Sequence, residues 1–231
     1  MKIDIITAFP NFFSGPLNES ILGRAQQKNL LRIDVCDLRD FAADKHHQVD
    51  DYPYGGGPGM VLKAEPFFKA VDHLKRTRNL AAPRIVLMTP QGKTYNQAMA
   101  RELKDESELV FLCGHYKGVD ERVREYLATD EISIGDYVLT GGELAAMVVI
   151  DSIVRLIPGV INDIDSANSD SFENGHLDCP YYTRPENLNG MVVPEVLLSG
   201  NHQEIARWRE TKALQLTRER RGDLLTKGVE I

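Results

Sequence analysis

Ile132-Ser133-Ile134-Gly135-Asp136-Tyr137-Val138-Leu139-Thr140-Gly141-Gly142 is the stretch on which the reading of this chain turns. Ile132 and Ile134 alternate as the end of a short buried strand, and Gly135 breaks it. Tyr137-Val138-Leu139 adds one more apolar run before a second break at Thr140-Gly141-Gly142. From Glu143 the apolar residues Leu144, Met147, Val148, Ile150 and Val154 recur at helical spacing up to Ile157, and Pro158-Gly159 stops the pattern. Thr140 reads as the N-cap, with Glu143 as its capping-box partner. A strand, a glycine-flanked loop and a helix start together offer free backbone N–H and C=O groups to a flat, polar small molecule. The plainer reading is a tight turn that needs glycine for positive φ.

Working outward, the N-terminal half alternates strands and helices. Residues 2–7 and Leu31–Leu38 read as strands, with a helix over Asn18–Lys28 between them. Ala64–Thr77 reads as a helix, Arg84–Met88 as a buried strand ending at Thr89-Pro90-Gln91-Gly92, and Asn96–Lys104 as a helix. Leu109–Cys113 is a further buried strand, ending in Gly114-His115-Tyr116-Lys117-Gly118 ahead of a short helix near Asp120–Leu127. Such alternation predicts an α/β fold, a mostly parallel sheet covered by helices on both faces. Ligands of such sheets bind outside the carboxyl ends of the strands, which the loops at Pro90, Gly114 and Gly135 mark. No Gly-x-Gly-x-x-Gly joins strand to helix, so an ordinary dinucleotide fold is not supported.

The segment Lys45–Met60, with Tyr54-Gly55-Gly56-Gly57-Pro58-Gly59-Met60 at its end, is too polar and glycine-rich for regular structure. It suits close approach to a ligand or a phosphate cradle, but no Gly-Lys-Ser/Thr makes it a Walker loop. His46 and His47 lack a third ligand at metal spacing, so no metal site is expected. Beyond Pro158 the periodicity disappears. A short acidic stretch, 162–171, reads as a linker, and Ser199-Gly200-Asn201 offers caps for a helix through Ile205, Trp208, Ala213 and Leu216. The reading is of three parts: a domain over 1–160, a flexible linker over 161–171 and a small helical domain over 172–231.

Bulk properties narrow the classes. The chain of 231 residues is long enough for a sizeable core, and no apolar run approaches the ~18 residues of a membrane span. The N-terminus lacks the apolar region of a signal peptide. Cys36, Cys113 and Cys179 form no Cys-x-x-Cys pair, which argues for a reducing, cytoplasmic setting. The net charge is −7, unevenly placed: from Asn201 to Ile231 seven Lys/Arg face five Asp/Glu, leaving −9 on the preceding 200 residues. Local basic surface sets phosphate affinity, so nucleic acid stays open as a partner.

Five segments then occur in order: Tyr54–Met60, Ser133–Leu139, Arg155-Leu156-Ile157-Pro158-Gly159-Val160, Asp170-Ser171-Phe172 and Tyr182-Thr183-Arg184-Pro185. Together they resemble the bacterial tRNA (guanine-N1) methyltransferases that modify guanosine 37, beside the anticodon. The resemblance implies a deep trefoil knot in the α/β domain, although threading is otherwise essentially absent from proteins. It implies that the knot loops bind S-adenosylmethionine through Pro90, Gly114, Ile134, Gly135, Asp136, Tyr137, Val138, Leu139, Gly141 and Gly142. It further implies a homodimer with each active site completed across the interface, and a C-terminal domain that grips tRNA. In that picture Asp170 removes the guanine N1 proton, Arg155 stabilises charge on O6, Ser171 helps place the linker and Arg184 contacts the RNA. Without the resemblance, Arg155 reads as a helix C-terminal cation and Asp170 as a solvated carboxylate. The chain departs from the family pattern at Lys117, where the family usually has Glu, and at Tyr181, where it often has His. Competing readings are a related knotted methyltransferase on another RNA, an RNA-binding relative without catalysis, and a nucleotide-hydrolysing α/β enzyme.

Overall fold

The computed structural model describes residues 1–78, 82–161 and 169–226. The chain divides into two compact units, Met1–Asn162 and Asp163–Ile231. The expected linker lies mostly on 162–168, outside the described residues.

The first unit holds an all-parallel sheet of five strands: β1 (Lys2–Thr7), β2 (Arg32–Asp37), β5 (Arg84–Thr94), β6 (Glu108–Cys113) and β7 (Asp130–Ser133), in the order β2-β1-β6-β5-β7. Between them run α1 (Ser20–Gln27), α2 (Ala64–Arg78), α3 (Gln97–Leu103) and α4 (Glu121–Tyr126), and α5 (Glu143–Val154) follows β7. This is the expected α/β fold with a parallel sheet. Strand alternation explains how both faces are covered. Leu109, Phe111 and Cys113 of β6 join Ile3 and Ile5 in a core beneath α1 and α5, where Leu22, Ala25, Val149 and Ile153 are buried. The intervening Val110 and Leu112 face the other way, against Phe67, Val71 and Leu74 of α2 and Val123 of α4. Phe111 and Phe67 are wholly buried, each contributing roughly 1.5–3 kcal/mol of hydrophobic transfer energy.

Three local expectations need correction. First, β5 does not stop before Pro90. It runs on to Thr94, because Lys93 and Thr94 pair again with Ile132 and Ser133 of β7 after an irregularity at residues 89–92. Proline has no N–H to donate, so the ladder must open there, and both Met88 and Lys93 end up opposite Ile132. Gly92 is what permits the return: a Cβ there would overlap the backbone of Glu131 and Ile132. Second, α5 is capped by Gly142 without a side-chain cap, and Thr140 is not its N-cap. Third, the polar Lys45–Met60 segment is not wholly irregular. Asp50–Asp51 (β3) pairs antiparallel with Val61–Leu62 (β4), which follows the glycines.

The second unit is built on α7 (His202–Arg220), with α6 (Glu195–Leu198) before it and α8 (Asp223–Thr226) after it. A two-strand ribbon, β8 (Asn187–Leu188) and β9 (Met191–Val192), precedes these helices. Asn201 caps α7 as expected, its Oδ1 accepting from the Gln203 and Glu204 amides at 3.2 and 3.4 Å. Among the described residues no helix is long and apolar enough to cross a membrane, and the three cysteines are free.

Candidate active site

At the carboxyl edge of the sheet three loops enclose a cleft of about 390 Å³, within the ~300–1,000 Å³ range of small-molecule sites. The first is the opened stretch of β5 around Pro90. The second, Gly114–Val119, leaves β6. The third, Ile134–Gly142, leaves β7. The second and third loops are fastened together. The Gly142 amide donates to Gly114 O at 2.8 Å, and His115 bridges Gly141 in antiparallel fashion. Gly135 has φ of 144°, where a side chain would strike the Tyr137 ring, and the Tyr137 amide turns back to Gly135 O at 2.9 Å. Leu87, Met88, Ile132 and Ala145 give the cleft an apolar floor, and Val138 stands 87% exposed at its mouth.

Nine of the ten residues expected around the cofactor line this one cleft: Pro90, Gly114, Ile134, Gly135, Tyr137, Val138, Leu139, Gly141 and Gly142. Asp136 is exposed on the same turn and outside the lining.

Behind the third loop lies a polar cluster that the sequence reading missed. Glu143 is 3% exposed. Its Oε1 accepts from Thr7 Oγ1 at 2.7 Å, and its Oε2 lies 3.8 Å from His115 Nδ1, a buried nitrogen with no hydrogen-bond partner among the described residues. The His115 ring packs against Phe9 and Tyr116, with centroids 4.3 and 4.8 Å away. Gly141 passes so close that a Cβ on it would overlap both Glu143 Oε2 and His115 Nδ1. Burial and then the Glu143 carboxylate push the Cys113 thiol up, so that thiol is a packing group and not a nucleophile. The signal for this cluster was Glu143 itself, read as the capping-box partner of Thr140, whereas its buried carboxylate is claimed by Thr7.

The glycine-rich segment is tied to the second loop. Lys117 N donates to Met60 O at 3.0 Å, Asp120 N to Leu62 O at 2.8 Å and Leu62 N to Gly118 O at 3.0 Å. Lys117 lines the cleft, and its stem packs on Gly59: a Cβ there would meet Lys117 Cγ at 2.9 Å. Tyr52 and Tyr54 on the same segment are exposed.

Arg155 is the C-cap of α5, half-buried, its amide donating to Asp151 O at 3.3 Å. Asp170 and Ser171 belong to the second unit. They open a turn in which Glu173 N donates to Asp170 O at 3.3 Å and Asp178 N to Ser171 Oγ at 3.0 Å. That turn is anchored on α7: Thr217 Oγ1 accepts from Leu177 N at 2.9 Å, and the Arg221 guanidinium lies 5.7 Å from the Phe172 ring centroid. Arg184 lines a different cleft of the same unit. Tyr181 donates through Oη to Asp178 Oδ2 at 2.7 Å, and this bond, with burial, holds its phenol protonated well above the usual range. Among the described residues no cluster of His, Cys, Asp and Glu is arranged to hold a metal.

A family profile described as tRNA (Guanine-1)-methyltransferase TrmD matches residues 1–227. A tRNA (guanine-N(1)-)-methyltransferase of Dehalococcoides mccartyi is 58% identical over 227 residues, covering 98% of this chain and 91% of that protein. Proteins of the same name are 58% identical in Anoxybacillus flavithermus (97% of this chain, 91% of that protein) and 55% identical in Listeria monocytogenes (97% and 92%).

Proposed function

The chain belongs to the tRNA (guanine-1)-methyltransferase family, and on that premise we propose that it methylates N1 of guanosine 37 in tRNA from S-adenosylmethionine. The observation that carries the reading is the cleft at the carboxyl edge, walled by the three loops and lined by nine of the ten residues expected around the donor. Its apolar floor suits an adenine ring, and the backbone groups of loops two and three suit a polar, flexible ligand. The close approaches at Gly141 and Gly142 leave no room for side chains where those loops meet. When bound, S-adenosylmethionine would supply the methyl group on an electrophilic sulfonium, so that the protein's task is to prepare the nucleophile.

Guanine N1 carries a proton, and losing it shifts charge to O6. In this account Asp170 takes the N1 proton as general base, while Arg155 donates to O6 and lowers the cost of the developing anion. A free carboxylate, with a pKa of about 3.9, is a mild base, so the arginine is what makes it sufficient. The C-terminal unit holds the tRNA, with Ser171 fixing the turn that carries Asp170 and Arg184 contacting the RNA.

The same reading includes a trefoil knot around the three loops, supported by the way the second and third fasten to each other and by the detour in β5. It includes a homodimer, supported by the exposed apolar side chains of Leu144 and Val148, one turn apart on α5, and of Tyr137 and Val138 on loop three. The setting is the cytoplasm.

Single-turnover methyl transfer by Asp170→Asn tests the assignment: the rate falls about 10²–10⁴-fold while donor and tRNA affinities hold. A rate within about threefold of wild type would remove Asp170 from the role of base.

A further inference from the structure

The second unit contains a cleft of about 390 Å³ between the Pro180–Arg184 segment and helices α6 and α7. Its floor is apolar, from Val193, Leu197 and Ile205, all half-buried. Its walls are two exposed aromatic rings. Tyr181 is fixed by its bond to Asp178, and Tyr182 stands 6.3 Å, centroid to centroid, from Trp208. Its rim carries Arg184, Glu186 and Arg209, none of whose side chains makes an ion pair or hydrogen bond among the described residues.

We infer that this cleft takes one unstacked nucleobase of the tRNA, with the adjoining backbone phosphates on Arg184 and Arg209; the inference rests on the tRNA substrate proposed above. Three features select this occupant. Aromatic walls and an apolar floor need a flat, exposed π-face, which a base inside a duplex does not offer. Two guanidiniums against one carboxylate complement a phosphate backbone and are a costly rim for an apolar peptide or lipid chain. Glu186 accepts hydrogen bonds only, so it favours a base edge that presents N–H groups. Single-stranded RNA is bound elsewhere by the same combination of stacking platform and positive rim.

Trp208 is the chain's single tryptophan, so its fluorescence reports on the neighbouring Tyr182 wall without labelling. The experiment titrates the full-length protein with an unmodified tRNA transcript, a short single-stranded RNA and an RNA duplex of the same length, alongside methyl-transfer kinetics. The expected result is quenching by tRNA and by the single strand but not by the duplex. Tyr182→Leu and Arg209→Gln abolish the quench. Tyr182→Leu raises KM for tRNA by about 5- to 150-fold, the range of one stacked-base contact, Arg209→Gln raises it through the lost phosphate contact, and both spare KM for the methyl donor. Tyr182→Phe, which keeps the ring, restores the wild-type KM and so separates stacking from a folding defect. If wild type methylates tRNA while Trp208 does not respond, or responds equally to duplex, the cleft is not a base pocket and the proposed function stands. If wild type does not methylate tRNA, the proposed function falls. Preferential quenching by single-stranded RNA would then still support the pocket, and its absence would remove that as well.

Discussion

Replacing Gly141 by alanine tests the close approach on which the proposed donor cleft depends. The added methyl would overlap Glu143 Oε2 and His115 Nδ1 and come within 3.1 Å of Gly114 O. Neither side chain can step aside freely. Glu143 is buried and held by Thr7 Oγ1 at 2.7 Å, and His115 is packed between Phe9 and Tyr116. Overpacking of this kind costs about 1–3 kcal/mol, and releasing Glu143 from Thr7 would cost a further ~1.5–3 kcal/mol as a lost hydrogen bond to a charged group. Together these come to about 2.5–6 kcal/mol, which lowers Tm by about 5–24 °C for a domain of this size. Because loop three is a wall of the cleft, donor affinity falls at least about tenfold, equivalent to 1.4 kcal/mol. Thermal unfolding and calorimetric titration with S-adenosylmethionine provide both numbers. Gly15→Ala is the control: Gly15 has open space around it and a negative φ, so alanine there stays within about 0.5 kcal/mol of wild type or slightly above it. Wild-type Tm and donor affinity in Gly141→Ala would refute the claim that loops two and three meet too tightly for a side chain.

Asp130 accepts from Arg84 through both carboxylate oxygens at 2.7 and 2.9 Å, and this pairing holds its pKa below the usual value. Its contribution is therefore complete above the unfolded pKa of about 3.9 and is lost as pH falls through the lower folded value. Asp130→Asn should cost about 1 kcal/mol at pH 7, because Arg84 keeps Glu102 and Glu106, and the difference should close in urea melts near pH 2. Asp4 behaves oppositely: burial raises its pKa despite Arg78 at 3.4 Å. The folded state takes up that proton first as pH falls, so ionised Asp4 is a liability at neutral pH. Asp4→Asn should match or exceed wild-type stability at pH 7, with the gain shrinking toward pH 4, and a clear loss at pH 7 would show that the Arg78 contact dominates. Asn201→Ala removes the cap of α7 and should lower the stability of the C-terminal unit by ~1 kcal/mol in denaturant melts.

The sheet and most of its helices were legible because apolar periodicity records burial directly. Leu109–Cys113 reads as a buried strand, and the structure divides it between two cores. The continuation of β5 was not legible, since Pro90 and Gly92 are local stop signals and only pairing with distant Ile132 and Ser133 overrides them. Glu143 misled for a related reason. Its spacing from Thr140 fits a capping box, but Thr7, 136 residues away, claims the carboxylate. The contact of Lys117 with Gly59 likewise joins two loops that no local pattern connects. Cleft-lining residues that matter through their backbone, such as Gly114 and Gly142, left a signal in the glycine pattern. Asp170 and Arg155 had none of their own and enter the proposed site only through the motifs around them.

The most direct measurement is transfer of a labelled methyl group from S-adenosylmethionine to unmodified tRNA transcripts carrying guanosine or adenosine at position 37, with the modified nucleoside identified after digestion. The account predicts N1-methylguanosine from the first transcript and no label in the second. Label that is indifferent to position 37, or that resides on another atom, would contradict it.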